Sequence, residues 1–378
     1  MPLKILHAAD IHLGTHFPSL GAYAPERNQD FLKTFSKICE TAVTEKVDLF
    51  FIAGDLFDSP HPSHEVFGWV QAELEKVIQN QIPIVIIPGT HDNIMASDHI
   101  FRHPFWDKTI LFKDPILKDP KHLKIQGHDV YLYGMAYLPE VTTPYLENMK
   151  RRPMDGIHLG LMHGSVKDAP NWKIYEKDFP MTQDELFGLN LDYVALGHYH
   201  NPIVYEKNGI VRASYTGTPE GKRFIEAGPR VVHLITIQIP AFAGMTNHVE
   251  LKPIPVHTKT MLEKEIDLFE LAATENIVQK VKELQDPNTL LRLILKGTLE
   301  DVLDLSKIQG DLAPYFAYLE IIDETSVIDS QWIQRLEQEN TIRGFFVRKM
   351  KEKINRIESE EEKEIYKNAF KEILQEFS

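Results

Sequence analysis

The sequence predicts a layered α/β core, followed by a small second α/β domain and by helices at the end of the chain. Short apolar runs rich in Ile, Val and Leu alternate with amphipathic segments over the first two thirds of the 378 residues. Such runs are typical of strands buried on both faces, and their alternation with helices indicates a layered arrangement. Pro253–Pro255 marks a boundary. We therefore predict domains at 1–257 and 258–335, and a terminal segment at 336–378.

The predicted core consists of strands separated by helices. Amphipathic helices cover 26–46 and 63–80, because apolar residues recur in both at the spacing of one helix face, and Ser63 is a suitable N-cap for the second. The six predicted strands are Leu3–Ala8, Val47–Ala53, Ile82–Ile87, Val130–Tyr133, Ile157–Met162 and Tyr193–Leu196.

A hairpin, Val231–Ile239 with Val249–Ile254, is predicted to close the first domain. Its connection, Pro240–Thr246, is apolar but contains Pro and Gly, which favours a surface loop over a strand. The connection resembles a translated interspersed bacterial repeat, and we assign it no catalytic role.

The second domain is predicted to alternate strands with helices before two terminal helices. Apolar stripes run from Ile342 to Ile357 and from Ile365 to Phe377, and Ser359 with Glu362 fits a capping box between them. The stripes fit either packing on the preceding domain or binding to a partner. The elements predicted before them are strand Thr260–Asp267, helix 269–285, strand Leu290–Leu295, helix 301–308 and strand Phe316–Ile322.

Composition narrows the class of protein. The chain is 43% hydrophobic and 25% charged, as in an average soluble protein, and no apolar run approaches the ~20 residues that cross a bilayer. The N-terminus lacks the features of a signal peptide. Cys39 is the single cysteine, which excludes an internal disulfide and fits a reducing compartment. We expect a cytoplasmic protein without membrane contact, with association with the nucleoid as an alternative.

The net charge of −14 bears on the substrate. An acidic protein does not attract nucleic acid by its overall field. A polyanionic substrate would therefore need bound cations, a basic groove or a partner protein.

Polar side chains follow five of the predicted strands, at the carboxyl end of each. In an open α/β sheet, ligands bind at that edge, so we expect one rim to collect these side chains. The aspartates and histidines at these ends are Asp10, His12, Asp55, His91, Asp92, His163, His198 and His200.

This set of residue types favours a metal site. Asp10 and His12 are two residues apart and share a side in extended chain, as do His198 and His200, so each pair can chelate. Asp55 can bridge two ions with its two oxygens. Carboxylates and imidazoles without a thiolate suit Mn²⁺, Fe or Zn²⁺ in an open catalytic site. Two ions ~3.5–4 Å apart clamp a phosphoryl group and activate a water molecule.

His91 fits a different role, because an imidazole beside a leaving oxygen can act as a general acid near neutral pH. A single histidine is more often structural than catalytic, so these assignments depend on the recurrence of the pattern at five strand ends. His7 and His158 lie inside predicted strands, and we expect them to be structural. We expect His61 and His64 to be solvated.

Five segments resemble the motifs of the calcineurin-like metallophosphoesterases and, more narrowly, of the Mre11/SbcD DNA-repair nucleases. The nuclease branch is favoured by Tyr193–His200, by Tyr215–Gly221 and by the tail Arg343–Met350. The resemblance implies a β-sandwich core flanked by helices, with a small capping domain that shapes access to DNA. The five segments are Asp10–His12, Gly54–Asp58, Gly89–Asp92, His163–Gly164 and Gly197–His200.

The resemblance also implies roles for individual residues. His91 would act at the scissile phosphate, with Asp92 orienting it. Family metals are usually Mn²⁺, with Fe, Zn²⁺ and Mg²⁺ as alternatives. Implied partners are DNA, a Rad50/SbcC-like ATPase that binds the terminal helices, and a second copy of the chain. The implied metal ligands are Asp10, His12 and His200 for one ion, His163 and His198 for the other, and Asp55 between both.

One position departs from the family pattern Gly-Asn-His-Asp, in which the Asn oxygen binds the second metal. Thr90 stands there in this chain. A hydroxyl is a weaker donor, so the second ion would be held loosely, through water, or only with substrate. The leading hypothesis is the catalytic subunit of a DNA nuclease. The acidic charge motivates a phosphodiesterase on nucleotides or small diesters, and Thr90 motivates a weakly active adaptor that keeps one metal.

Overall fold

The computed structural model divides into two compact units, Met1–Thr260 and Met261–Ser378. A further division at residue 336 remains a prediction. The connection Pro240–Thr246 lies outside the described residues. The structure describes residues 2–137, 144–167, 178–238, 247–268, 274–299, 303–327, 330–375 and 377.

The described part of the first unit contains two six-stranded sheets. Their strand orders are β12-β11-β1-β2-β3-β4 and β5-β6-β7-β8-β10-β9, with parallel pairs at the centre of both sheets. Three of the four edge pairs are antiparallel, while the edge strand β4 pairs parallel with β3. The strands are β1 (Leu3–Ala8), β2 (Leu49–Ala53), β3 (Ile84–Ile87), β4 (Ile110–Leu111), β5 (Lys121–Ile125), β6 (His128–Gly134), β7 (Ile157–His163), β8 (Tyr193–Gly197), β9 (Ile203–Lys207), β10 (Ile210–Tyr215), β11 (Val231–Gln238) and β12 (His248–Pro255).

The two sheets pack face to face over one apolar layer. Phe51 and Val85 of the first sheet share this layer with Leu159 and Leu161 of the second, and all four are buried. Burying one such side chain contributes about 1.5–3 kcal/mol. The predicted layered β-sandwich is confirmed. The prediction that one sheet edge collects all the polar side chains needs refinement. Strands β1, β2 and β3 belong to one sheet, whereas β7 and β8 belong to the other.

Helices cover the outside of the first unit. The long helix α1 buries the face that contains Phe31, Phe35 and Ile38, and it packs against α2. Ser63 caps α2, since its hydroxyl accepts from the Val66 N–H at 3.2 Å. Both helices confirm the prediction from periodicity. The helices are α1 (Ala24–Thr44), α2 (His64–Gln79), α3 (Pro144–Met149) and α4 (Gln183–Gly188).

Strands β4, β5, β9 and β10 were not predicted. The hairpin of β9 and β10 lies at the edge of the second sheet, and its outer residues are exposed. Half-exposed edge strands carry charged residues such as Glu206 and Arg212, so the continuous apolar run that identifies a central strand is missing.

The second unit contains a three-stranded sheet in the order β13-β14-β15, with β14 and β15 parallel. The alternation of strands and helices is confirmed, while α7 was not predicted. The elements are β13 (Thr260–Asp267), α5 (Thr274–Lys282), β14 (Asp286–Leu299), α6 (Leu305–Leu312), β15 (Phe316–Val327), α7 (Ser330–Gln338), α8 (Ile342–Arg356) and α9 (Glu360–Gln375).

The last three helices form a small core of their own. Leu336 of α7 is buried with Val347 of α8 and Phe370 of α9. Other residues of the predicted stripes remain exposed, including Ile342 at 87% and Phe345 at 58%. Each stripe therefore divides into a packed part and an exposed part. No helix in the described part of the chain is long and apolar enough to span a membrane.

Candidate metal centre

The ends of the central strands of both sheets meet at one place. The Asp10 N–H donates to the Gly54 carbonyl at 3.1 Å, which joins the segments that follow β1 and β2. His163 Nδ1, at the end of β7, lies 3.0 Å from the Ala53 carbonyl and connects the second sheet to the first. The strand ends predicted to deliver polar side chains are therefore brought together from two facing sheets.

Four residues at these ends have left-handed backbone conformations. Asp10, His12 and Asp55 have φ angles of 52°, 52° and 50°, and His198 has a φ of 110°. Residues with a Cβ rarely adopt this region, at a cost of about 1–3 kcal/mol each, and such residues cluster at functional sites. These strained conformations are therefore consistent with a functional site at this place.

Two glycines make the close approach of these segments possible. A Cβ at Gly54, which has a φ of 87°, would overlap the His163 ring. A Cβ at Gly89 would overlap the Asp55 carboxylate. Side chains at either position would therefore push apart two of the predicted ligands.

Three groups of side chains in the described residues could each hold a metal ion. Within each group, the potential ligand atoms lie within 4.8 Å of one another. The first has the composition predicted for one ion, and the second contains the predicted bridging carboxylate. The third was not predicted. The groups are Asp10 with His12 and His200, Asp10 with Asp55 and His163, and His12 with Asp58 and His91.

In the first group, two imidazoles face each other, with His12 Nε2 3.1 Å from His200 Nε2. The second nitrogen of each imidazole contacts a carboxylate. Asp58 Oδ1 lies 2.9 Å from His12 Nδ1, and Glu226 Oε1 lies 2.7 Å from His200 Nδ1. Burial lowers the pKa of His12 to about 3, so the ring is neutral. A neutral ring that donates through Nδ1 presents the Nε2 lone pair to a cation.

In the second group, Asp55 Oδ2 lies 3.4 Å from His163 Nε2 and 3.7 Å from His12 Nε2. This carboxylate therefore faces both groups, as a bridging ligand must. Burial tends to lower the pKa of His163, but the charges of Asp55 and Asp10 outweigh it and raise that pKa to about 9. The buried carboxylates thus attract positive charge to this position, which a divalent cation would supply.

His198 lies beside the second group. Its ring centroid is 5.3 Å from that of His163, and its backbone N–H donates to both oxygens of Asp10 at 2.9 and 3.0 Å. Burial lowers the pKa of His198 to about 3, which leaves the imidazole neutral. Its Nε2 lies 3.8 Å from Asp178 Oδ1. The predicted ligand role of His198 remains a proposal.

His91 lies at the rim of the centre, with its side chain 47% exposed. Its Nδ1 lies 3.4 Å from Asp58 Oδ1, and its ring packs edge-on against His12 with centroids 4.7 Å apart. A half-exposed imidazole next to a buried ligand can reach both a substrate and solvent. His91 also belongs to the third group, so its role as a proton donor remains a proposal.

The expectation that Asp92 orients His91 is wrong. The Asp92 carboxylate is buried and accepts from the Gly89 N–H at 2.7 Å and from the Phe57 N–H at 3.1 Å. Burial raises its pKa to about 7, with the nearby charge of Asp55 adding to the effect. Asp92 therefore joins the turn after β3 to the segment after β2, because its carboxylate satisfies one backbone donor in each.

Thr90 faces the second group. Its hydroxyl donates to Asp55 Oδ2 at 3.0 Å and lies 3.5 Å from His163 Nε2. Thr90, which departs from the family pattern, thus contacts Asp55 and His163. Both belong to the second group, where the substitution was predicted to act.

Sequence reasoning missed three contributors. Asp58 closes the Gly54–Asp58 segment, so its position could have suggested a role. Lys222 places Nζ 2.7 Å from Asp58 Oδ1, and Glu226 holds His200. The last two lie more than twenty residues beyond the Gly197–His200 motif, and Lys222 directly follows the segment Tyr215–Gly221, which by itself indicates no site residue.

Histidines outside the centre behave as predicted. His7 and His158 are buried and bond through Nδ1 to the hydroxyls of Tyr193 and Tyr133, at 2.9 and 2.8 Å. His61 and His64 are exposed.

The donor set fits a divalent metal. It consists of carboxylate oxygens and imidazole nitrogens, several of them buried, with at least two rings held neutral. Mn²⁺, Fe and Zn²⁺ take such mixed ligands, and the described groups contain no thiolate.

Comparison with known proteins gives a consistent result. A family model described as calcineurin-like phosphoesterase matches residues 3–202. The chain is 25% identical over 350 residues to the uncharacterized metallophosphoesterase YhaO of Bacillus subtilis (strain 168), covering 89% of this chain and 82% of that protein.

A relative named as a nuclease subunit and one named as a DNA repair protein also match. Identity to a subunit of the nuclease SbcCD of Staphylococcus epidermidis is 23% over 377 residues, covering 89% of this chain and 94% of that protein. Identity to the DNA double-strand break repair protein Mre11 of Sulfurisphaera tokodaii is 28% over 223 residues. That match covers 57% of this chain and 54% of the relative.

Proposed function

The chain belongs to the calcineurin-like phosphoesterase family, and from this premise we propose that it cleaves phosphodiester bonds in DNA with two divalent metal ions, Mn²⁺ being the expected metal. The observation that carries the proposal is the position of Asp55, whose carboxylate faces ligand groups on both sides. DNA as substrate is supported by the relatives named Mre11 and nuclease SbcCD. We propose a cytoplasmic location, with association with the nucleoid as an alternative.

The proposed ligands divide between two ions that share Asp55. When bound, such a pair activates a water molecule and offsets charge on the phosphoryl group and the leaving oxygen. Asp10, His12 and Asp55, at the base of this centre, are all buried. The proposed ligands are Asp10, His12 and His200 for one ion, and His163 and His198 for the other.

His91 is proposed to donate a proton to the leaving oxygen. Its exposed ring lies beside the ligands rather than among the deepest of them. Asp58 Oδ1, 3.4 Å from the ring nitrogen Nδ1, would hold that side of the ring and turn Nε2 outward. We propose Asp58, in place of Asp92, as the carboxylate that orients His91.

The terminal helices are proposed to bind an ATPase of the Rad50/SbcC class. Ile342 and Phe345 expose apolar surface on α8, and Ile365 does so on α9, although the opposite faces of these helices are packed. The net charge of −14 disfavours DNA binding by the chain alone. A partner on this surface could supply the missing affinity for DNA. We further propose that 258–335 shapes access to DNA and that two copies of the chain associate.

Thr90 favours a second candidate function. Because a hydroxyl is a weak metal donor, the second ion would be bound weakly, and the chain would then act slowly or serve as an adaptor with one metal. The acidic charge also leaves a nucleotide or small phosphodiester as a substrate.

A substrate comparison tests these functions. Purified chain with Mn²⁺, alone and with its ATPase partner, is assayed on single- and double-stranded DNA, cyclic nucleotides and a chromogenic diester. We expect DNA cleavage that His91→Ala abolishes. Turnover of small diesters without DNA cleavage would support the second substrate class, and one tight ion with no hydrolysis would support the adaptor.

A further inference from the structure

We propose that the turn 222–226 is a positioning element for one of the two metal groups, fixing His12 and His200 from outside through Lys222 and Glu226. The inference rests on the proposed metal-dependent function. The turn lies beyond residues 3–202, where the family match ends.

Glu226 connects the turn to His200. One carboxylate oxygen, Oε1, lies 2.7 Å from His200 Nδ1, and the other, Oε2, accepts the Lys222 backbone N–H at 2.7 Å. The carboxylate is buried. Both oxygens are thus engaged, one on the ligand and one on the start of the same turn. Glu226 cannot shift without disturbing the His200 ring.

Lys222 connects the turn to His12 through one intermediate. Its Nζ lies 2.7 Å from Asp58 Oδ1, and the same oxygen lies 2.9 Å from His12 Nδ1. The Lys222 side chain is mostly buried, so this ion pair is poorly screened. Lys222 therefore fixes the acceptor that orients His12.

The two connections converge on one pair of rings, because His12 and His200 bring their Nε2 atoms to within 3.1 Å. Arg230 anchors the other side, donating to the His200 carbonyl at 2.7 Å. The second group is held differently, since His163 Nδ1 bonds to the backbone carbonyl of Ala53. The turn should therefore control the affinity of one ion and leave the other nearly unchanged.

The turn supplies its own matched control. Arg223 and Ile225 lie between Lys222 and Glu226 and point outward, with Ile225 83% exposed. Changing Arg223 alters the same turn without touching His12 or His200.

The test is a Mn²⁺ titration of metal-free full-length protein by calorimetry, with bound metal counted by elemental analysis and the coupled Mn²⁺ pair followed by electron paramagnetic resonance. Outer-sphere partners of metal-bound histidines typically contribute 10–100-fold in affinity. We expect Glu226→Ala and Lys222→Met each to weaken one of two sites by about this factor. Glu226→Gln, which keeps an acceptor oxygen, should lose less, and Arg223→Ala should match the wild type.

Wild-type affinity at both sites in Glu226→Ala and Lys222→Met would overturn the inference, as would an equal loss in Arg223→Ala. If Glu226→Ala does not fold, Glu226→Gln and Lys222→Met decide the matter. Failure of this inference can be distinguished from failure of the proposed function. A wild type that binds two ions but cuts no DNA would refute DNA cleavage while the effect of the turn on affinity still stands.

Discussion

Asp58 Oδ1 lies 3.4 Å from Nδ1 of His91. The same oxygen lies 2.9 Å from Nδ1 of His12, which belongs to the first metal group. One carboxylate thus contacts both the proposed proton donor and a proposed ligand. Substitution of His91 and substitution of Asp58 should therefore have different consequences, and that difference separates proton transfer from metal binding.

His91→Ala should remove the proton donor and leave the metal groups intact. General acids typically contribute 10²–10⁴-fold to a rate, so we expect a loss of that order in kcat at saturating Mn²⁺. Metal content per chain should stay at the wild-type value. His61→Ala, which changes an exposed histidine, is the control and should retain full activity. Loss of an ion in His91→Ala would instead make His91 a ligand.

Asp58→Asn should lower both activity and metal affinity. The amide oxygen can still accept one hydrogen bond, but it loses the negative charge that faces His12, His91 and Lys222. We expect weaker Mn²⁺ binding at one site in calorimetry, together with slower cleavage. Unchanged Mn²⁺ affinity with slower cleavage would confine Asp58 to the proton-transfer role.

Thr90→Asn should tighten the second site. The Thr90 hydroxyl already faces Asp55 and His163, and an amide oxygen is a stronger donor at the same place. The measurement is Mn²⁺ affinity and ions bound per chain, with Thr90→Val as the control that removes the hydroxyl at similar size. If all three proteins bind Mn²⁺ equally, position 90 does not contact the metal.

The residues proposed as ligands could be found from the sequence because each lies at a fixed place in a local pattern, directly after an apolar strand. The division of those strands between two sheets could not be predicted, because a buried strand has the same apolar run in either sheet. Asp92 was misassigned because adjacency in sequence does not make side chains adjacent: His91 points to the rim and Asp92 into the turn. Glu226 contacts the centre only through tertiary packing, which leaves no local pattern.

Ile342→Asp and Phe345→Asp should weaken binding to the ATPase partner without affecting cleavage by the isolated chain. Both side chains are exposed, so an added charge should change stability little. The measurement is co-purification or calorimetric affinity for the partner, beside Mn²⁺-dependent cleavage by the chain alone. Ile116→Asp changes an exposed apolar residue of the first unit and is the control. Equal partner affinity in all three variants would place the docking surface elsewhere.

Acid should destabilise the first unit through two buried histidines, His7 and His233, which are paired across β1 and β11. Burial lowers the pKa of His233 to about 4 and that of His7 well below its usual value. In the unfolded chain both titrate near 6.5. Below that pH the unfolded state binds protons that the folded state does not. The free energy of unfolding should thus fall as pH falls from 7 towards 4, by up to about 1.4 kcal/mol per pH unit for each histidine.

His233→Asn removes one of these groups while keeping a partner for the Ser214 hydroxyl, which lies 2.8 Å from His233 Nδ1. In metal-free buffer, the decrease in Tm between pH 7 and pH 5 should be smaller for His233→Asn than for the wild type. Because His233 also contributes to the lowered pKa of His7, the difference reports on the His7–His233 pair as a whole. His61→Asn, at an exposed position, should follow the wild-type slope. A parallel decrease in His233→Asn and the wild type would mean that His233 is protonated in the folded protein.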